Sequence, residues 1–143
     1  MNADKLYSPE MLSAAVELAN WPALENAPYH GQARAPACGS TMAIDLSLDA
    51  DGRIERVGLR SRACAVGQAA AAVFARHACG LDLAQVQAAH DRIAAWLDEE
   101  APAPDWPDLA LIAPARDYRA RHGAMLLPWK AAIAALSSGP AAS

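Results

Sequence analysis

The sequence predicts an α+β fold, a small antiparallel sheet with helices packed on one side, and three observations carry that expectation. Residues 41–48 alternate apolar and polar, with Met42, Ile44, Leu46 and Leu48 against Thr41, Ala43, Asp45 and Ser47. Asp51-Gly52 follows as a hairpin signal, and a second strand-like run returns after it. On either side lie stretches with helix starts and stops. With 143 residues the chain fits one domain, residues 1–143, large enough to bury a core without staples. Hydrophobic residues make up 54% but aromatics only 6%, so closely packed alanine-rich helices should form that core.

In chain order, Ser8-Pro9-Glu10 opens a helix: a hydroxyl to cap, proline at the first helical position and a carboxylate against the positive end. Leu12, Ala15, Val16 and Ala19 give it one apolar stripe, and Trp21-Pro22 ends it near Asn20. Pro22, Pro28, Gly31 and Pro36 make residues 22–37 read as a surface loop. The return strand puts Val57, Leu59 and Ser61 on one face and Arg56, Arg60 and Arg62 on a wet one. Ile54 is out of phase, which implies a bulge near the turn. Residues 65–79 read as a helix closed by Gly80. Asp82 and Gln85 form a capping box for the next helix, stapled by Leu81 and Val86. Its inner face is Val86, Ala89, Ile93, Trp96 and Leu97, and Asp98-Glu99-Glu100 form a solubilising end. Residues 101–107, with three prolines, read as a loop. A last helical region spans about 109–136, broken around Pro114 and Gly123, with a frayed tail over 137–143.

A net charge of −4 argues against a nucleic-acid surface. No apolar run approaches the roughly 18 residues of a membrane span. Three cysteines, an odd number, and no basic-then-apolar opening point to a reducing cytoplasmic setting. No Ser-His-Asp order, phosphate-cradling glycine loop or paired-carboxylate pattern stands out, and the expectation is a protein that is not an enzyme.

The cysteines are Cys38, Cys64 and Cys79. If residues 65–79 form one helix, Cys64 and Cys79 sit roughly 22 Å apart at about 1.5 Å per residue. Metal–sulfur bonds are about 2.3 Å, so those two cannot share a metal. Cys79 is expected as a buried small hydrophobe. Cys38 and Cys64 lie 13 residues before Asp51 and 12 after Gly52, which brings both to the open end of the hairpin. Cys64 also stands at a helix N-terminus, which favours a thiolate. Packed thiols would fit the same spacing.

Cys38-Gly39-Ser40 opening a strand, Ala63-Cys64 before a small-residue helix, and Ala120-Arg121-His122-Gly123-Ala124 followed by Leu126 and Trp129-Lys130-Ala131 resemble the U-type iron–sulfur scaffold family (IscU, SufU and the N-terminal domain of NifU). Leu6-Tyr7 and Asn20-Trp21-Pro22 resemble its first helix and exit, so the likeness spans roughly residues 5–136. It implies a scaffold on which cysteines hold a nascent [2Fe–2S] cluster, iron or zinc, with sulfur delivered as persulfide by a cysteine desulfurase. Other cluster-assembly proteins are the further partners it implies. Two departures stand out: Ser40 replaces the family's aspartate, and Gly123 or Ala124 falls where its third cysteine belongs. The implied ligand set is therefore Cys38 and Cys64, with His122 as a third candidate. Arg119 and Arg121 beside His122 oppose a cation there. His30 could swing in from its loop; His77 is too far along its helix, and His90 is expected to be exposed. Arg60, Arg62, Arg116, Arg119 and Arg121 read either as a surface for an acidic partner or as a solvated face. The expected function is a component of iron–sulfur assembly. The alternatives are a degenerate scaffold acting as a partner-binding module without a cluster, and a zinc-dependent sulfur acceptor for a desulfurase.

Overall fold

A computed structural model describes residues 6–140. Helix α1, Pro9–Glu17, is followed by a short 3-10 turn, Leu18–Asn20. Strands β1 (Tyr29–Ala35), β2 (Ser40–Leu48) and β3 (Ile54–Arg62) form one antiparallel sheet in the order β1-β2-β3. Helices α2 (Ala65–His77) and α3 (Leu83–Leu97) come next. Three short 3-10 turns over residues 109–121 then lead to α4, His122–Ser138. The α+β architecture is as expected.

The largest difference from the sequence reading is β1, which occupies most of the expected loop. Its polar side chains face outward and, after Tyr29, its inward ones are Gly31, Ala33 and Ala35, too small to mark an apolar face. Gly31 sets how closely α4 packs on it. A Cβ there would lie 2.2 Å from the carbonyl oxygen of Ala131 and 2.4 Å from the Ala135 nitrogen. Only a missing side chain lets α4 lie backbone to backbone on the sheet. Residues 21–28 do form the crossing segment. They cover one half of the outer face, where Gly58 sits under Pro22 and Leu24. Asp45 and Ser47 are buried there at 2% and 8% exposure, so that face is only half wet.

Local signals that rest on side-chain hydrogen bonds hold closely. The Met11 amide donates to Ser8 Oγ at 3.1 Å. Gln85 N donates to Asp82 Oδ1 at 2.9 Å, and Asp82 N to Gln85 Oε1 at 3.0 Å, completing the box. The bulge sits between Ser47 and Leu48, which brings Ile54 inward opposite Leu48. The stripe on α1 is rotated, because Met11, Ala14 and Ala15 are buried while Leu12 and Val16 are exposed. Packing on α2 takes the longer Met11 side chain with two alanines, leaving the branched residues outside. The last helical region is interrupted near Gly123 as expected, a 3-10 turn ending at Arg121 and α4 starting at His122, but α4 runs on through Ser138, so Ser137 and Ser138 are helical. The end of the expected frayed tail, residues 141–143, lies outside the described residues.

The core lies between the inner sheet face and the helices. Phe74, Trp106 and Trp129 meet there, the two tryptophan rings 5.1 Å apart and edge to face. The indole N–H of Trp106 donates to the Val73 carbonyl at 3.0 Å, tying the proline-rich segment to α2. No helix among the described residues is long and apolar enough to cross a membrane.

Candidate functional site

Cys38 lies in the four-residue turn between β1 and β2, where the amides of Cys38 and Gly39 both donate to the Ala35 carbonyl. Gly39 takes a positive φ of +74°, which closes that turn at little cost. On the other side of the sheet end, Arg62 is the last paired residue of β3, opposite Thr41. Cys64 follows two residues later as the N-cap of α2 and makes no side-chain capping bond. Both thiols therefore stand at one end of the sheet, each partly exposed.

The first turn of α4 fills the space beside them. A Cβ on Gly123 would come within 3.0 Å of the Ala35 Cβ, just before the Cys38 turn. Ala124 packs towards Gly67, whose own Cβ would lie 2.7 Å from that of Ala63. Residues 123 and 124 thus wedge between the chain leading to Cys38 and the helix that follows Cys64.

Cys38 is the electrostatically distinct thiol. Its sulfur lies 3.2 Å from Ser40 Oγ, and that hydroxyl, itself on the buried inner face, holds the thiol below the usual cysteine range. Burial works against this, and the positive charge of Arg121 adds to it. The contact with Ser40 was not anticipated, although a hydroxyl two residues after a cysteine at a turn is a visible signal for it.

His122 starts α4, and its Nε2 lies 2.6 Å from the Arg116 carbonyl. A carbonyl only accepts, so Nε2 carries the proton and Nδ1 is the nitrogen left for another partner. Arg116 is itself fixed, donating from Nε to the Trp96 carbonyl at 2.9 Å and lying over the Trp96 ring. Among the described residues, no three His, Cys, Asp or Glu side chains are grouped so that they could hold a metal ion. His30 is bound to Asp45 at 2.8 Å, on the outer face. His77 binds Asp108, and His90 binds Asp91 with its side chain only 20% exposed, more buried than expected.

Cys79 corrects its expectation. The helix ends at His77 and Ala78 takes the buried position, so Cys79 falls in the exposed turn before Gly80. There its thiol donates to the Glu55 carbonyl at 3.3 Å. Partial burial and the Glu55 charge push it up, away from a thiolate.

The family described as "NifU-like N terminal domain" matches residues 7–123, most of the chain. The chain belongs to that family. Its structure is similar to a nitrogen-fixing NifU-like protein (N-terminal) from Brucella abortus, at 30% identity over 94% of both chains with a TM-score of 0.84. It is also similar to a putative iron–sulfur cluster assembly scaffold protein for the SUF system from Fervidobacterium islandicum AW-1. That match has 20% identity, covers 94% of this chain and 99% of the other, and has a TM-score of 0.81. A hypothetical protein, 17% identical over 89% of this chain and 96% of its own, has a TM-score of 0.73. The latter two show the fold this NifU-like chain shares. No curated protein matches it.

Proposed function

We propose that this NifU-like chain is a non-enzymatic scaffold of iron–sulfur cluster assembly that takes up sulfur and metal at Cys38 and Cys64. The observation that carries the reading is that two partly exposed thiols, one in a turn and one at a helix start, stand at a single end of the sheet. Membership of the NifU-like family and the likeness to the Fervidobacterium protein, described as a putative scaffold, support it.

The chemistry follows from the thiols. A cysteine thiolate attacks the outer sulfur of a persulfide on a cysteine desulfurase. The S–S bond of the donor breaks, its own thiolate leaves, and the outer sulfur stays on the acceptor as a new persulfide. No net electrons are exchanged in that step. Cys38, held towards the thiolate by Ser40 and Arg121, is the better first acceptor. Iron or a [2Fe–2S] cluster is then cargo on Cys38 and Cys64, with zinc as the alternative. His122 is the candidate third ligand: its Nε2 is held on the Arg116 carbonyl, an outer hydrogen bond of the kind that orients ligand histidines, and Nδ1 is the nitrogen it would offer once drawn towards the thiols. The protein works in the cytoplasm with cluster-assembly partners.

Two observations favour a second reading, a degenerate scaffold kept as a partner-binding module. Ser40 supplies no carboxylate, and no three-ligand group is present among the described residues. Anaerobic reconstitution separates the readings: iron, zinc and acid-labile sulfide are measured on wild type, Cys38→Ser and Cys64→Ser. Metal or sulfide bound by wild type and lost in both variants supports the scaffold. Equal, negligible loading in all three leaves the module, and zinc without sulfide that accepts persulfide from a desulfurase points to the zinc-dependent sulfur acceptor.

A further inference from the structure

The outer face of the sheet is covered by residues 21–28 over one half and open over the other, at the cysteine end. The register places two rows of side chains there: Arg34, Thr41 and Arg62, then Gln32, Ala43 and Arg60. The middle strand contributes the short Thr41 and Ala43 and the flanking strands contribute long arms. The result is a trough of about 730 Å³. Its far end is stopped by the crossing segment, where Leu24 packs over Gly58 and its amide donates to Asp45.

The trough is cationic on a chain whose net charge is −4. Arg60 is neutralised by Asp45 at 3.0 Å. Arg34 and Arg62 are exposed, and neither is ion-paired among the described residues. Their Cα atoms are separated by two strand spacings, roughly 10 Å, with Thr41 between them. Two guanidiniums at that separation can grip carboxylates from both sides of one extended chain lying on the small floor. Arg34 is four residues before Cys38 and Arg62 two before Cys64, so a segment held there lies beside the mouth of the thiol site.

We infer that this trough docks an acidic, extended segment of a partner protein, gripped between Arg34 and Arg62. The charge pattern selects that occupant, since the trough offers two guanidiniums without ion pairs among the described residues on a chain whose net charge is −4. The benefit of docking beside Cys38 and Cys64 rests on the scaffold reading above; the binding itself does not.

The probe is fluorescein-labelled hexaglutamate, followed by anisotropy in low salt and again near 0.3 M salt, with a single-stranded oligonucleotide of equal charge as the competitor class. Binding by wild type that weakens with salt is expected, as is a loss of about tenfold or more in the Arg34→Glu/Arg62→Glu double variant. Arg92→Glu/Lys130→Glu, the same charge change at exposed positions of α3 and α4, leaves it within about twofold. Amide shifts of wild type on titration cover the case of a misfolded variant, with Thr41 and Ala43 expected among the largest. The inference is overturned if hexaglutamate fails to bind or binds the double variant equally well. It is also overturned if the shifts map elsewhere or the oligonucleotide binds as tightly. Cys38→Ser/Cys64→Ser should bind the peptide like wild type. If the protein loads no iron, zinc or sulfide yet binds hexaglutamate in the trough, the scaffold reading falls and the docking groove stands.

Discussion

Ser40 holds its hydroxyl 3.2 Å from the Cys38 sulfur from a buried position on the inner face of β2. A hydroxyl can donate to a thiolate, whereas the carboxylate that the family carries at this place would repel one. The order of thiolate character at Cys38 should therefore be wild type, then Ser40→Ala, then Ser40→Asp. Alkylation by iodoacetamide, followed by mass spectrometry across pH, checks this. The midpoint for Cys38 should move upwards along that series, and an unchanged midpoint in Ser40→Ala would remove the hydroxyl from the account.

Gly31→Ala should be among the most damaging small substitutions in the chain. The added methyl meets the backbone of α4, at Ala131 and Ala135, which cannot rotate away. Overpacking of this kind costs about 3 kcal/mol or more. Gly123→Ala meets only the Ala35 methyl at 3.0 Å and gains helix propensity worth about 1 kcal/mol, so its net effect should be near zero. Urea denaturation of the two variants gives the comparison directly.

The same contrast explains what could be read from the sequence. Features whose cause is local were legible: the Ser8 cap, the Asp82–Gln85 box and the Ile54 bulge each depend on residues a few positions apart. The placing of Cys38 and Cys64 at one sheet end followed from counting around a hairpin, because strand pairing is a one-dimensional register. Strand β1 was not legible, since its inward residues Gly31 and Ala33 are small for the sake of α4, nearly a hundred residues later. The rotated face of α1 was lost for a similar reason. In an alanine-rich helix two apolar stripes compete, and only α2 decides between them. Asp45 alternated as though wet, and the segment that buries it left no periodic trace.

Asp45 is 2% exposed and receives the Leu24 amide at 3.1 Å, His30 at 2.8 Å and Arg60 at 3.0 Å. His30 and Arg60 are about half exposed, so solvent screens their ion pairs and the amide bond is the larger loss. Asp45→Ala should cost about 2 kcal/mol. It should also speed hydrogen exchange at Leu24 well beyond the change at Ile44. Equal exchange at both would mean the carboxylate does not fasten the crossing segment.

His122 should carry its proton on Nε2 in the neutral state, because that nitrogen faces the carbonyl of Arg116. Long-range nitrogen–proton spectra distinguish the two tautomers. Arg116→Ala removes the stacking on Trp96 and the bond to its carbonyl, at a cost of about 1–2 kcal/mol, and frees the segment that presents the acceptor. The spectrum should then show a mixture. Finding the proton on Nδ1 in wild type would exclude Nδ1 as the metal-facing nitrogen.

At the far end of α2, Asp108 adopts φ +66° and receives His77 at 2.7 Å and Arg76 at 3.2 Å, while Arg76 also pairs with Glu17. The bond from His77, then that from Arg76, holds the Asp108 carboxyl below its ordinary value of 3.8. A carboxyl lowered in the folded state stabilises the protein above its unfolded value and loses that contribution as pH falls through the folded one. The Asp108 share should thus be full at neutral pH, begin to fall near pH 3.8 and be gone once the pH has passed the lowered folded value. Because the side chain is 41% exposed, screening keeps that share to about 1 kcal/mol or less. Asp108→Asn keeps a residue that tolerates positive φ while deleting the charge. Denaturation midpoints of wild type and variant should differ at pH 7 and converge as acid protonates the wild-type carboxyl. A gap that persists at the lowest pH would show that the backbone geometry, and not the ion pairs with His77 and Arg76, sets the difference.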